Sequence, residues 1–247
     1  MKRQLISLTI ILPLLSLFFS LEVYAQSGNP ILGPPPPKTK TASKPARKIK
    51  RASLSTPEYT DQYRQIYYDY ANSKASLDVT VTSLEALVKQ APDDGTRSIT
   101  YQFLGLLYLH GRHDAAKAEA AMEQAINANG SAIVEISFDN KWRQMGKLRS
   151  GEFDFEDRGK GWLKIENGKL TLTDLNSQPL VNDKTTASLT GQQIKDLSKT
   201  LASAFTLVQI TTNNTRRPYI FATKDKRPDE ADLVIKLIKK HVQGKAN

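Results

Sequence analysis

The stretch GWLKIENGKLTLTD, residues 161–174, decides how the second half of this chain is read. Asn167-Gly168 suits a two-residue type I′ turn, whose central positions both need positive φ. Such a turn sets a register: Glu166 opposite Lys169, Ile165 opposite Leu170, Lys164 opposite Thr171 and Leu163 opposite Leu172. Side chains alternate along a strand. Leu163, Ile165, Leu170 and Leu172 therefore share one face. Lys164, Glu166, Lys169 and Thr171 share the other, with Glu166 and Lys169 as an opposite-charge pair. Turn chemistry and apolar pattern agree on a β-hairpin.

On either side the apolar period stays near two. AIVEISF places Val134, Ile136 and Phe138 on one face, and GEFDFED does the same for Phe153 and Phe155. AFTLVQITT and PYIFAT form a second hairpin around Asn213-Asn214. Residues 186–203 read two ways. Thr190 and Gln193 fit a capping box opening a short helix; strand, tight turn and strand fits equally well and suits the neighbours better. RPDEADLVIKLIKKHV is a helix, with Asp229 as its cap and Asp232 in its first turn. Leu233, Val234, Leu237, Ile238 and Val242 form its buried stripe, with Lys236, Lys239 and Lys240 outward. Six or seven antiparallel strands and one amphipathic helix pack as a bent sandwich or open barrel closed at one end by the helix.

Upstream of Gly130 the period is helical. Tyr59, Tyr63, Ile66, Tyr67 and Tyr70 form one stripe, read as core with hydroxyls reaching the rim. Leu77, Val81, Leu84, Leu87 and Val88 form a second, stopped by APDDG. A third helix is predicted over residues 96–109. A fourth starts at the N-cap Asp114 and stops at Asn129-Gly130. Short turns between the four predict two antiparallel α-hairpins. The fold class expected is α+β, a helical module followed by an antiparallel β domain.

Residues 101–126, YQFLGLLYLHGRHDAAKAEAAMEQAI, carry Leu104-Gly105, Tyr108, Gly111, Asp114, Lys117-Ala118 and Ala125. At these positions the segment resembles tetratricopeptide and Sel1-like helical repeats. The resemblance implies that Gly105 allows a close helix approach, that Tyr108 fills the space between the paired helices, and that Ala118 and Ala125 keep a packing face small. A fainter upstream copy sets Leu84, Leu87 and Pro92 where Met122, Ala125 and Gly130 stand later. The order of strands and closing helix over residues 131–244 resembles a PH/GRAM-type domain, which implies a binding scaffold; no lipid-gripping motif accompanies it, and Lys141, Arg143, Lys147 and Arg149 read as a solvated loop.

The N-terminus combines Lys2 and Arg3, an apolar run, and Val23 and Ala25 at the small-residue positions of a cleavage site. A signal peptide over residues 1–25 is expected, cut between Ala25 and Gln26, with a membrane anchor over residues 5–21 as the alternative. Periplasmic or secreted localisation follows. Residues 26–56 read as a disordered Pro-rich basic linker. The net charge of +10 is concentrated there: Lys38, Lys40, Lys44, Arg47, Lys48, Lys50 and Arg51 stand without an acid. That placement argues against a nucleic-acid-binding domain, whose charge lies on a folded face. It leaves an anionic envelope surface as a second partner class, through Lys38 to Arg51. The absence of cysteine excludes disulfides, thiol catalysis and Cys-based metal sites.

No phosphate loop, nucleophile elbow or HExxH stretch appears. His110 and His113 share a short segment with Asp114, too few ligands for a structural zinc site. His241 stands among lysines without an evident partner. The acid pairs Asp93-Asp94 and Asp229-Glu230 fall at helix starts, where capping explains them. Arg216-Arg217 reads as an exposed hairpin end. No catalytic residue, cofactor or metal ligand is assigned. The expectation is an exported, non-enzymatic protein-interaction protein of a bacterial cell envelope, with a hydrolase of unrecognised site as the remaining alternative.

Overall fold

The computed structural model describes residues 54–138, 159–182, 185–202, 205–215 and 218–244. The expected signal peptide with Ala25 and Gln26, the linker up to residue 53 and Phe153 and Phe155 lie outside the described residues, as do Lys141, Arg143, Lys147, Arg149 and Arg216-Arg217. No helix among the described residues is long and apolar enough to cross a membrane.

The described residues open with four helices: α1 (Thr56–Ala71), α2 (Leu77–Val88), α3 (Asp94–Leu106) and α4 (Ala115–Asn127). Their starts follow local chemistry. The Ser55 amide and hydroxyl both donate to Glu58 Oε2, at 3.0 and 2.7 Å, so α1 begins inside the segment expected as linker. The Ser76, Asp93 and Asp114 side chains accept from the backbone N–H groups of Val79, Thr96 and Lys117. Each satisfies a donor that helix geometry leaves orphaned.

The tyrosine stripe of α1 is core. Tyr59, Tyr63 and Tyr67 are buried, and the rings of Tyr63 and Tyr67 pack against Phe103 of α3 at 6.1 and 5.7 Å between centroids. Tyr59 Oη shares a 2.6 Å buried hydrogen bond with Thr100. Gly105 lies at a close crossing of α3 and α4: a Cβ there would stand 2.7 Å from Met122 Cγ. Leu104, Ala118 and Ala125 are buried beside it. Tyr108 reaches α2 instead of filling only the α3–α4 space, and its hydroxyl donates to Glu85.

The third helix runs further than residues 96–109. Beyond α3 the chain continues as a π turn, Leu107–Arg112, and stops at His113 in the left-handed conformation, φ 55. Gly111 does not break it. It lies inside the π turn, where a Cβ would meet Leu77 Cδ1 at 2.9 Å. The segment LHGRHD is thus helical up to Arg112.

Among the described residues nine strands follow: β1 (Ala132–Phe138), β2 (Gly159–Glu166), β3 (Lys169–Asp174), β4 (Val181–Asn182), β5 (Thr185–Thr186), β6 (Ser188–Thr190), β7 (Ile194–Ala202), β8 (Phe205–Thr212) and β9 (Tyr219–Thr223). Seven form one sheet in the order β6-β3-β2-β1-β9-β8-β7, and every pairing in it is antiparallel. The β2–β3 register is the one expected from the Asn167-Gly168 turn, with Gly168 at φ 79. Leu163, Ile165, Leu170 and Leu172 are all buried. Glu166 stands opposite Lys169, yet its ion pair is with Lys164 on its own strand, at 2.8 Å.

Thr190 and Gln193 do form a capping box, but around a single 3₁₀ turn, Gly191–Gln193, that links β6 to β7. This link shapes the sheet. The two strands it joins are the outermost of seven, roughly 29 Å apart if the sheet were flat. A three-residue link with its flanking bonds reaches about 14 Å at most. The sheet is therefore rolled, one continuous layer rather than two separate sheets. Ile136, Phe138, Leu172, Tyr219 and Phe221 fill its interior around a residual cavity of about 10 Å³.

The last helix, α5 (Pro228–Ile238), continues as a π turn over Lys239–Gln243. Its cap is Arg227, not Asp229, because Pro228 takes the first helical position, where its missing N–H is not needed. Leu233, Val234, Leu237, Ile238 and Val242 are buried, as the stripe requires. The helix packs on β7, β8 and β9 and also on α4. Gly168 N–H donates to the His241 carbonyl at 2.7 Å, so the π turn rests on the tip of the β2–β3 hairpin. Lys236 and Lys240 do not simply face solvent: they pair with Glu119 and Glu123 of α4, each at 2.6 Å.

Candidate functional site

His110 is aimed away from the short segment it shares with His113 and Asp114. The π turn carries its ring toward the loop between β9 and α5, where Nδ1 lies 2.8 Å from Asp225 Oδ2 and 3.3 Å from Glu230 Oε1. The three donor atoms all stand within 4.8 Å of one another. A widened helical turn is a common way of re-aiming one side chain.

The Glu230 carboxylate is held by local backbone. Asp225 lies two residues beyond the end of β9. Glu230 is the third residue of α5, and its Oε2 accepts from the Asp225 backbone N–H at 3.2 Å. That contact fixes the carboxylate and leaves Oε1 facing the imidazole. Glu230 is fully buried and the His110 side chain is 7% exposed, whereas the Asp225 side chain is 31% exposed. The cluster is closed on the protein side and open only past Asp225.

Burial alone would pull the His110 pKa down. The hydrogen bonds and charges of Asp225 and Glu230 outweigh it, and the net shift is upward. The hydrogen bond from His110 holds Asp225 down, at about 2. Lys224 lies beside Asp225 but is engaged by Glu135 at 3.3 Å. The Arg227 guanidinium contacts His113 and forks onto Asp229.

An imidazole with Nδ1 on an aspartate and Nε2 free is the arrangement of a general base. Here Nε2 is buried and has no hydrogen-bond partner, so no substrate reaches it in this conformation. Glu230 Oε1 has only the long contact to His110 Nδ1. The arrangement suits holding the last helix against the π turn, or holding an ion between them.

The residues singled out by sequence therefore separate. His113 goes to Arg227, Asp114 caps α4, and His110 alone reaches a cluster. Asp93 is a helix cap, as expected. Glu230 is not merely a cap. Its place in the sequence carries a signal, because it is in phase with the buried stripe at Val234, Leu237, Ile238 and His241. An acid in that phase must be paired or coordinated when buried. His241 is buried on the same face rather than standing among exposed lysines. No family model, curated protein or solved structure matches this chain.

Proposed function

We propose that this chain is an exported, non-enzymatic protein-interaction protein of a bacterial cell envelope, an adaptor or scaffold. On this reading residues 57–130 are a tetratricopeptide/Sel1-like module and residues 131–244 a PH-like β domain. The strand order, with both edges joined by one short turn and a helix closing the end, supports the second likeness. The close crossing at Gly105 supports the first.

The observation that carries the reading is the outer edge of β7. This strand is nine residues long and has a strand neighbour on one side only, β8, among the described residues. Leu201 on it is 78% exposed. An open edge of this length is a template for an extended segment of another protein, with main-chain hydrogen bonds for affinity and side-chain contacts for choice. Lys195 is exposed nearby, and Lys199 is held by Asp232 of α5 at 2.6 Å. The matching segment is apolar with acidic residues.

The test places a photo-crosslinking residue at position 201 and, as a comparison, at Val79 on α2. The expected result is one envelope protein joined through an extended segment at position 201, with β7 amides gaining hydrogen-exchange protection in the complex. Crosslinking through Val79 alone, or protection confined to α1 and α2, overturns the β7 assignment. The run of seven basic residues before residue 52 favours a second reading, adhesion to an anionic envelope surface. Deletion of residues 27–54 should then abolish binding to anionic vesicles, and unchanged binding removes that reading.

A further inference from the structure

We propose that His110, Asp225 and Glu230 form a binding site for one divalent cation of the zinc type, set between the π turn after α3 and the start of α5. The site is independent of the β7 edge and of any partner bound there.

The first ground is distance. Two atoms bound at about 2.1 Å to one tetrahedral ion stand roughly 3.4 Å apart. Glu230 Oε1, 3.3 Å from His110 Nδ1, is already at that spacing, and Asp225 Oδ2, at 2.8 Å, reaches it by a small outward shift. One imidazole nitrogen and two carboxylate oxygens are a donor set for a borderline cation rather than for a hard one, which takes oxygen alone.

The second ground is an unsatisfied buried atom. Glu230 is fully buried, its Oε2 is engaged by the Asp225 backbone, and its Oε1 is left with one long, poorly aligned contact, to His110 Nδ1 at 3.3 Å. A buried carboxylate oxygen so weakly satisfied is costly unless something coordinates it. The Asp225 backbone contact is the kind of outer support that orients a metal-bound carboxylate.

The third ground is access. Asp225, the one partly exposed member, provides both the entry path and room for water in the remaining coordination positions.

The experiment uses the full chain, stripped with a chelator and titrated with Zn2+ in calorimetry and thermal melts. The expected result is one ion bound per chain with a raised melting midpoint, and a shift of the His110 Nδ1 nitrogen resonance on saturation. Glu230→Gln or Asp225→Asn should weaken binding at least ~10-fold, since even outer-shell changes have that effect. His113→Ala should leave it intact. If the ligand variants fail to fold, the His110 resonance of the unaltered chain still decides the matter. Absence of saturable binding overturns the proposal, as does binding that survives Glu230→Gln or is lost equally in His113→Ala. Stabilisation by Mg2+ without any by Zn2+ overturns the assigned cation class.

Discussion

The helices and the sheet are packed by different means. α1 to α4 bury aromatic rings and small residues, with Tyr59, Tyr63, Tyr67 and Phe103 on one side and Ala118, Ala121 and Ala125 on the other. The rolled sheet buries aliphatic and aromatic side chains whose positions follow from strand register, Leu163, Ile165, Leu170, Leu172 and Phe221 among them. A helix pair can slide slightly to take up a misfit; a strand locked between two neighbours cannot. Tolerance to small changes should therefore differ between the two regions.

The sharpest way to break this contrast is to add one methyl group to each region. In Gly161→Ala on β2 the new Cβ would meet the Thr173 carbonyl oxygen at 1.9 Å. Backbone on a paired strand has nowhere to go, and a loss of at least about 3 kcal/mol is expected. In Gly105→Ala the obstacle is the flexible Met122 side chain, and the gain in helix propensity offsets part of the clash, leaving a loss of about 1 kcal/mol. Urea melts of both variants measure the difference. Equal losses would refute it.

The next effect lies where the two regions meet. Along β1 the pairing with β9 covers only Ile136 to Phe138. Gln102 of α3 takes the missing neighbour's place at Ile133: its Nε2 donates to the Ile133 carbonyl at 2.7 Å, and its Oε1 accepts from the Ile133 N–H at 2.9 Å. Gln102→Leu strands both backbone groups. A cost of about 2–3 kcal/mol is expected in the same melts, with faster hydrogen exchange at the Ile133 amide.

Alkaline titration sharpens the comparison further. Burial pushes Tyr59, Tyr67 and Tyr108 up to about 12 and Tyr63 higher still. An unfolded tyrosine ionises near 10. A raised folded pKa stabilises the fold fully below pH 10 and progressively less as pH rises toward 12. Phenolate absorbance should therefore rise in two steps, the second coinciding with loss of helical circular dichroism. A single step near pH 10 with helices intact would place these rings outside the core.

The smallest effect expected is from Lys236→Ala with Lys240→Ala. Their pairs with Glu119 and Glu123 are exposed. The midpoint should fall slightly at low salt and match the parent protein at high salt. A salt-independent loss would point to packing by the lysine stems instead.

Legibility in the sequence followed the distance over which each feature is decided. The β2–β3 register rests on two turn residues and eight neighbours, and it was readable in full. The caps at Asp93 and Asp114 were readable for the same reason. The closing helix was readable, but its cap was misplaced because Pro228 outranks Asp229 in fixing the first turn. The roll of the sheet was open between two descriptions, since nothing in residues 186–203 alone says that β6 and β7 are opposite edges. The His110 cluster was invisible for a different reason. It joins positions 115 residues apart, and a π turn displaces His110 from the phase of an ordinary helix. Only Glu230, an acid in register with a buried stripe, gave local notice of it.

The contacts across the seam have a kinetic meaning. His110 with Asp225, His113 with Arg227, Glu119 with Lys236 and Glu123 with Lys240 all span 114 to 117 residues. A ribosome-bound chain exposes α1 to α4 long before it exposes the partners of His110, His113, Glu119 and Glu123. Loop closure over such spans is slow. During synthesis the helical half waits with one face bare until the segment from Asp225 to Lys240, which covers it, has emerged.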